Sequence, residues 1–337
     1  MKNWFARWFG GASRPEDGTA PAAPSAAASA ASSAAASAGR SAPPSTVDGA
    51  APLDVDLAFH RWLAGPVAHA GETPDALVLD ELARLARQPE AAADLVPRVP
   101  AVIPQLLRSL REEGMSAGEL ARQVGQDVTL VAEVIREVNS PYYRPTAPVR
   151  NIEGAVLLLG QNGLRMLLAR VAFRPVIGSQ GGRLARQAAP QVWRQSEKCA
   201  LAASLLAPGL KADPFEAYLA GLMQNVGLVV ALRLIDQVDG LGALPQSEHF
   251  AAALRDSART VSARIAALWD FPAPVAVAIG QAGQEDGPPL ARALHEGDRL
   301  AKLRVLLDAG VEGVQEAVQA LPPEHARMFA KLEDRDT

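Results

Sequence analysis

The stretch DPFEAYLAGLMQNVGLVVALRL, Asp213 to Leu234, constrains this chain more than any other. Asp213 reads as a helix N-cap and Pro214 as the first helical residue. The carboxylate satisfies first-turn N–H groups, and proline loses nothing where an N–H would be unpaired anyway. Phe215, Leu219, Leu222, Met223, Val226, Val229, Val230 and Leu234 recur at three- and four-residue intervals. They leave little polar surface, so one helix over this stretch is expected at the centre of a helical domain. Two amides, Gln224 and Asn225, interrupt the apolar run. Imidazole and carboxylate at such adjacent positions hold a divalent ion, whereas amides of similar shape are weak ligands.

A chain of 337 residues can surround such a helix, as one large domain or two ordinary ones. Hydrophobic residues make up 49 % and aromatics only 5 %, the Ala/Leu/Val-rich balance of helical bundles. A net charge of −4 does not by itself argue for nucleic acid or membranes, and nucleic acid is not expected as a partner. The single Cys199 excludes an internal disulfide and a cysteine-based zinc cluster, so a reducing cytoplasm is the expected compartment. No apolar run is expected to reach the roughly 18–20 residues of a spanning helix, and the first residues lack a signal-peptide pattern.

Residues 1–11 place Trp4, Phe5, Trp8 and Phe9 on one side of a potential helix, with Lys2 and Arg7 elsewhere. Three readings stand: weak contact with a membrane interface, a docking peptide for a groove on a partner, or a frayed end. Contact of this tip with the inner membrane would make the protein peripheral to it. Residues 12–52 are Ala, Ser, Pro and Gly with hardly any large apolar side chain, and are expected to be a disordered tether.

Helical spacing resumes at Leu53. LDVDLAFHRWLAG closes at Gly65–Pro66, and ALVLDELARLARQ precedes Pro89. His60 and His69 have no carboxylate at ligand spacing and read as surface or partly packed histidines. A helix over 103–111 follows. Ser116 with Glu119 makes a capping-box spacing, and Asp127 caps a helix ending near Val138 before Asn139-Ser140-Pro141. EGAVLLLGQNGLRMLLARVAF reads as two helices broken at Gly160–Gly163. After the central stretch come helices over 250–269 and FPAPVAVAIGQAG, then terminal helices over 288–335 that close the domain or offer a dimer face.

Between Arg144 and Arg194 stand Arg144, Arg150, Arg165, Arg170, Arg174, Arg183, Arg186 and Arg194 against one acid, Glu153. An anion-facing or partner surface is one reading, and a solvated face with arginine stems covering apolar helix is the other. Cys199 has no general base nearby in sequence and reads as packing. No glycine loop carries the Lys-Ser/Thr ending of a phosphate cradle.

Taken in order, LVPRVPAVIPQLL, DVTLVAEVIREVNSPYY, IEGAVLLLGQNGLRMLL, VWRQSEKCALAASLLA, EAYLAGLMQNVGLVVAL and VSARIAALWDFPAPVAVAI resemble the HDOD family, over about residues 94–285. HDOD domains are relatives of the HD and HD-GYP phosphohydrolases. The resemblance implies an all-α domain, an N-terminal helical subdomain plus an HD-like core, serving as an output module in bacterial signalling. It also locates where a catalytic HD site would lie: its first histidine near Gln195, its His-Asp pair at Gln224 and Asn225, a later histidine near Ala258. Further histidines would fall near Ala282 and Gly283. None of these is His, Asp or Glu, so no metal or other cofactor is expected.

The resulting expectation is a tip at 1–11, a tether at 12–52 and an HDOD-type all-α domain over 53–335. The leading function is a non-catalytic signalling module that binds another signalling protein. A sensor of a nucleotide second messenger, using a polar pocket around the amides, is the alternative. Residual metal-dependent phosphohydrolysis is the third.

Overall fold

The computed structural model describes residues 53–65, 73–88, 95, 117–125, 127–140, 143, 145–178, 182–238 and 244–333. The tip residues Trp4, Phe5, Trp8 and Phe9, the 12–52 tether, the helix over 103–111 and the Ser116 cap lie outside them. Every regular element among the described residues is helical. In chain order these are α1 (Val55–Ala64), α2 (Thr73–Arg87), α3 (Ala117–Val124), α4 (Val128–Val138), α5 (Ile152–Gly178), α6 (Arg183–Leu206) and a 3₁₀ turn (Ala207–Leu210). There follow α7 (Pro214–Met223), α8 (Val226–Val238), α9 (Glu248–Leu268), α10 (Ala273–Gln281), α11 (Pro289–Asp308), α12 (Val314–Gln319) and α13 (Pro323–Ala330).

The caps act as their residue types dictate. Asp54 accepts from Leu57 N at 3.0 Å and Asp127 from Leu130 N at 3.0 Å. Asp213 accepts from Phe215 N at 2.9 Å and from Glu216 N at 2.8 Å. Each carboxylate satisfies donors that the first turn cannot pair internally. Asp236 does the same across the fold, accepting from Leu184 N and Ala185 N at 2.9 Å at the start of α6. The break inside α5 falls at Gly160, whose φ of 70° is open to glycine and costly for other residues.

The central apolar stretch is not one helix but two. The α-helical path stops at Gln224 and restarts at Val226. Ser262 of α9 bridges the interruption: its hydroxyl donates to Gln224 O at 2.6 Å and accepts from Gly227 N at 2.8 Å. A buried break needs partners for the backbone groups it frees, and this serine supplies one on each side.

Helix α6 lies between α7 and α11, while α8 and α9 pair and α10 packs against α9. Helices α3 and α4 pack on α5, which joins them to the core. One apolar cluster runs from Leu82 and Leu85 of α2 through Leu164, Leu167 and Phe173 of α5 to Val230, Ile265 and Ile279. A second ties Val55 and Phe59 of α1 to Leu300, Leu303 and Leu306 of α11 and to Val314 and Phe329. Contrary to the expectation that no apolar run reaches spanning length, two stretches among the described residues are long and apolar enough to cross a membrane by length and composition alone, Ile152–Ile177 and Pro214–Gln237. The second is 83 % buried within the fold, as a core element is.

The helix crossings at Gly221 and Gly227 are close enough to require glycine. A Cβ on Gly221 would lie 2.4 Å from Ala200 Cα of α6, and one on Gly227 would lie 1.9 Å from Ala258 O of α9. Both contacts are to backbone, so relief requires moving a helix rather than a side chain. Gly227→Ala is therefore expected to cost about 3 kcal/mol. Chemical denaturation of the variant measures it, and an unchanged midpoint would show that the α8–α9 crossing has slack.

Candidate functional site

The positions singled out around the central stretch converge, although Gln195, Gln224, Asn225 and Ala258 come from three parts of the chain. Gln195 projects from the middle of α6 and is fully buried. Gln224 and Asn225 sit at the α7–α8 break, which turns both side chains toward α6 and α11. Asn225 Nδ2 donates to Gln195 Oε1 and, at 2.9 Å, to Ser196 Oγ. Gln195 Nε2 donates to Asp298 Oδ1 at 2.6 Å, and Gln224 Nε2 donates to the same oxygen at 2.9 Å. Gln224 Nε2 also lies 2.9 Å from Cys199 Sγ. Ala258 contributes its carbonyl oxygen to the packing against Gly227 and no polar side chain.

Asp298, the centre of this network, belongs to α11. Its second oxygen accepts from Lys302 Nζ one turn later at 2.5 Å. Lys302 Nζ donates as well to Asp56 Oδ1 of α1 at 2.7 Å and lies 5.7 Å from the centre of the Phe59 ring. Asp56 Oδ2 accepts from Arg255 Nη1 of α9 at 3.1 Å. Four elements and the α7–α8 break thus meet on one chain of charge-assisted hydrogen bonds. Burial pushes the Lys302 ammonium toward its neutral form, and the charges and hydrogen bonds of Asp298 and Asp56 override it and raise its pKa. Burial raises the Asp56 carboxyl, and Lys302, Arg255 and Arg259 override it, lowering it from 3.8 to about 2.

Above this network opens a cavity of about 270 Å³. Helices α1, α9 and α11 wall it, with Asp56, His60, Arg255, Arg259 and Lys302 on the lining and Gln224, Asn225 and Asp298 at its base. The donor set does not fit a divalent ion. Three amides face one carboxylate, and that carboxylate already holds an ammonium at 2.5 Å. Among the described residues no group of three or more His, Cys, Asp or Glu is placed to share a metal.

The remaining candidates separate. His60 is buried rather than superficial, its Nε2 2.6 Å from Pro245 O, and burial lowers its pKa. Burial raises the Cys199 thiol well above its ordinary range, which keeps it protonated and inert. Ala282 and Gly283 follow α10 and stand apart from the amides, with Gly283 against His295. The arginines do not form one surface. Arg170 lies inside the fold, pairing with Glu137 of α4 at 2.6 Å and with Glu197 of α6. Arg165 is half-buried. Arg174, Arg183 and Arg186 are exposed around the α5–α6 connection, and Arg150 is exposed at the opposite end of α5.

Sequence reading misses Asp298, Lys302, Asp56, Arg255 and Arg259. Asp298 and Lys302 stand four apart, which on an isolated helix reads as an ordinary surface pair. The available signal is the clean apolar stripe of α11 at Leu294, Leu300, Leu303 and Leu306, into which both charges fall.

The Asp56 shift fixes a pH dependence. A carboxyl whose pKa is depressed in the fold contributes stability that is complete above its unfolded value and disappears as pH falls through its folded value. The stability gap between wild type and Asp56→Asn should therefore be constant above about pH 4 and shrink steadily toward pH 2. Urea midpoints across that window measure it, and a gap independent of pH would contradict the ion pairing.

Comparison with known proteins adds the family. The model of the HDOD domain matches residues 96–284. An uncharacterized protein of Treponema pallidum (strain Nichols) is 27 % identical over 139 residues, 41 % of this chain and 26 % of that protein. The chain thus spans about a quarter of the length of that curated relative. A crystal structure named Putative metal-dependent phosphohydrolase, from Shewanella amazonensis SB2B, aligns with a TM-score of 0.55 at 19 % identity, covering 78 % of this chain and 100 % of that one. One named Putative signal transduction protein, from Marinobacter aquaeolei VT8, aligns with a TM-score of 0.55 at 21 % identity, covering 77 % and 63 %. At these identities the likeness shows the fold alone, and the two names point to different activities on it. With more than half of its length matched, the chain belongs to the HDOD family.

Proposed function

We propose that this protein is a non-catalytic regulatory module of the cytoplasm that acts by binding another signalling protein. The observation that carries this reading is the closed network at the base of the cavity. Both oxygens of Asp298 are engaged by Gln195, Gln224 and Lys302, and the amides of Gln224 and Asn225 are engaged in turn. Metal-assisted phosphoester hydrolysis needs a cation with an open coordination position and a bound water made acidic by it. Gln195, Gln224 and Asn225 supply no anionic ligand, and Lys302 already neutralises Asp298. The exposed Arg174, Arg183 and Arg186 at the α5–α6 connection favour an acidic partner surface, since guanidinium groups suit bidentate contact with carboxylates.

A second reading, a small-ligand sensor, is favoured by the cavity itself. It combines an apolar wall from Leu228, Ala251 and Leu254 with the cations Arg255 and Arg259.

Two measurements test the leading reading. Full-length protein incubated with Mn²⁺ or Fe²⁺ is expected to retain no stoichiometric metal and to leave bis(p-nitrophenyl) phosphate intact. Turnover that disappears in Asp298→Asn would overturn the non-catalytic assignment. In the native host, Arg183→Glu/Arg186→Glu should keep its melting temperature and lose crosslinks to its partner at the α5–α6 connection. Retained crosslinks there would remove that surface from the reading.

A further inference from the structure

The network at the base of the cavity has a direction. Asp298, paired with the Lys302 ammonium, offers only acceptors, and a carboxylate fixes which end of a neighbouring amide faces it. Gln195 and Gln224 therefore turn Nε2 toward it, at 2.6 and 2.9 Å. Gln195 Oε1 is then left to accept from Asn225 Nδ2. The second N–H of Asn225 goes to Ser196 Oγ at 2.9 Å, a hydroxyl that gives its own proton to Val192 O at 2.9 Å. Asn225 is thus oriented by Asp298 through Gln195, and flipping either cavity-lining amide would break these bonds.

The amide N–H groups of Gln224 and Asn225 all point inward, and their carbonyl oxygens remain. Gln224 Oε1 and Asn225 Oδ1 accept no hydrogen bond among the described residues. Neither is a buried atom, so both open on the cavity that these two residues line. The rest of the lining gives an anion no advantage. Asp54, Asp56, Glu248 and Asp298 stand there against Lys302, Arg255 and Arg259. Lys302 is held by Asp56 and Asp298, and Arg255 by Asp56 with Asp256 beside it. Phe59 and Leu63 of α1, Leu228 of α8 and Leu254 of α9 supply apolar wall.

We propose, on the small-ligand reading of the site, that this cavity recognises a small molecule through N–H donors carried together on one carbon, the edge that guanine, guanidines and amidines share. Gln224 Oε1 and Asn225 Oδ1 are the acceptors that set specificity, and the body of the ligand lies against the apolar walls. A neutral or singly positive ligand suits a lining in which carboxylates at least match cations. The volume of about 270 Å³ falls just below the range of about 300–1,000 Å³ usual for small-molecule sites, so the ligand is a single ring system or a short chain. Helix α1 stays docked and forms part of the site. The amides that cannot hold a metal ion thus become the recognition element, because Asp298 aims their oxygens outward.

The test titrates the full chain by calorimetry with two matched pairs of probes, guanosine with inosine and benzamidine with benzamide, and with benzoate as an anionic control. Inosine lacks the exocyclic amine of guanosine, and benzamide has an acceptor where benzamidine has a second nitrogen donor. The first member of a pair is expected to bind about tenfold more tightly than the second, because a missing donor leaves a carbonyl of the site without its partner. Preference within the guanosine pair assigns a neutral heterocycle, and preference within the benzamidine pair alone assigns an amidinium. Ala252→Phe fills the cavity from the half-buried lining of α9, away from the network, and should fold and abolish binding. Gln224→Met leaves Asp298 with Gln195 and Lys302 and should erase the preference within the pair. If neither guanosine nor benzamidine binds, if the members of both pairs bind equally, or if binding survives Ala252→Phe, the inference falls. Benzoate binding that Ala252→Phe abolishes, without binding of the donor probes, would overturn the inference and keep the small-ligand reading.

Discussion

The buried pair of Asp298 and Lys302 is the interaction on which the centre of the molecule depends. Removing two opposite charges from water costs several kcal/mol each, and attraction between them alone rarely exceeds that cost. Here each is given further partners: Asp298 accepts from two glutamines, and Lys302 reaches Asp56 and lies near the Phe59 ring. Full satisfaction makes the pair tolerable, and its value is geometric. It sets the azimuth of α11 against α6, holds the α7–α8 break in register and gives α1 a charged seat. An apolar replacement of the pair would fill the space without choosing among nearby packings.

That division of labour explains which parts of the structure are legible in the sequence. The all-α class, the caps at Asp127 and Asp213, the break at Gly160 and the burial of the 213–234 stretch follow from local chemistry and period. The amides at 224 and 225 stand out because they interrupt an apolar run. What they are for does not, because their partners lie elsewhere in the chain, 74 residues on for Gln224 and 30 back for Asn225. The charged partners give the same difficulty in stronger form: Asp56 and Lys302 meet across 246 positions, and each alone resembles a surface residue. In the arginine-rich segment, sequence adjacency does not separate the members: Arg170 points into the fold to hold α4 and α6 on α5, whereas Arg174, Arg183 and Arg186 are exposed.

The reading of 213–234 as one helix fails for an instructive reason. Apolar periodicity persists across Gln224 and Asn225, so pattern alone gives no cause to stop. The stop comes from tertiary demand. Gly227 brings the backbone of α8 against Ala258 O, while Gly221 brings α7 against Ala200. The interruption falls between these two backbone contacts, at the residues whose side chains and neighbours satisfy a buried break.

This gives the polar cluster a structural necessity that is independent of catalysis. A buried interruption of a helix frees backbone groups, and the residues around it must be polar and mutually paired. Ser262 takes Gln224 O and Gly227 N, Asn225 takes Gln195 and Ser196, and Gln224 takes Asp298. In an enzyme of this fold the same break could present metal ligands, because the geometry that needs polar residues there also aims them at one point. In this chain the aim is retained and amides stand at the point of convergence. Polar convergence at a helix break therefore marks a position where the fold permits chemistry. The identity of the side chains decides what such a position holds, and here the cation paired with Asp298 is the ammonium of Lys302.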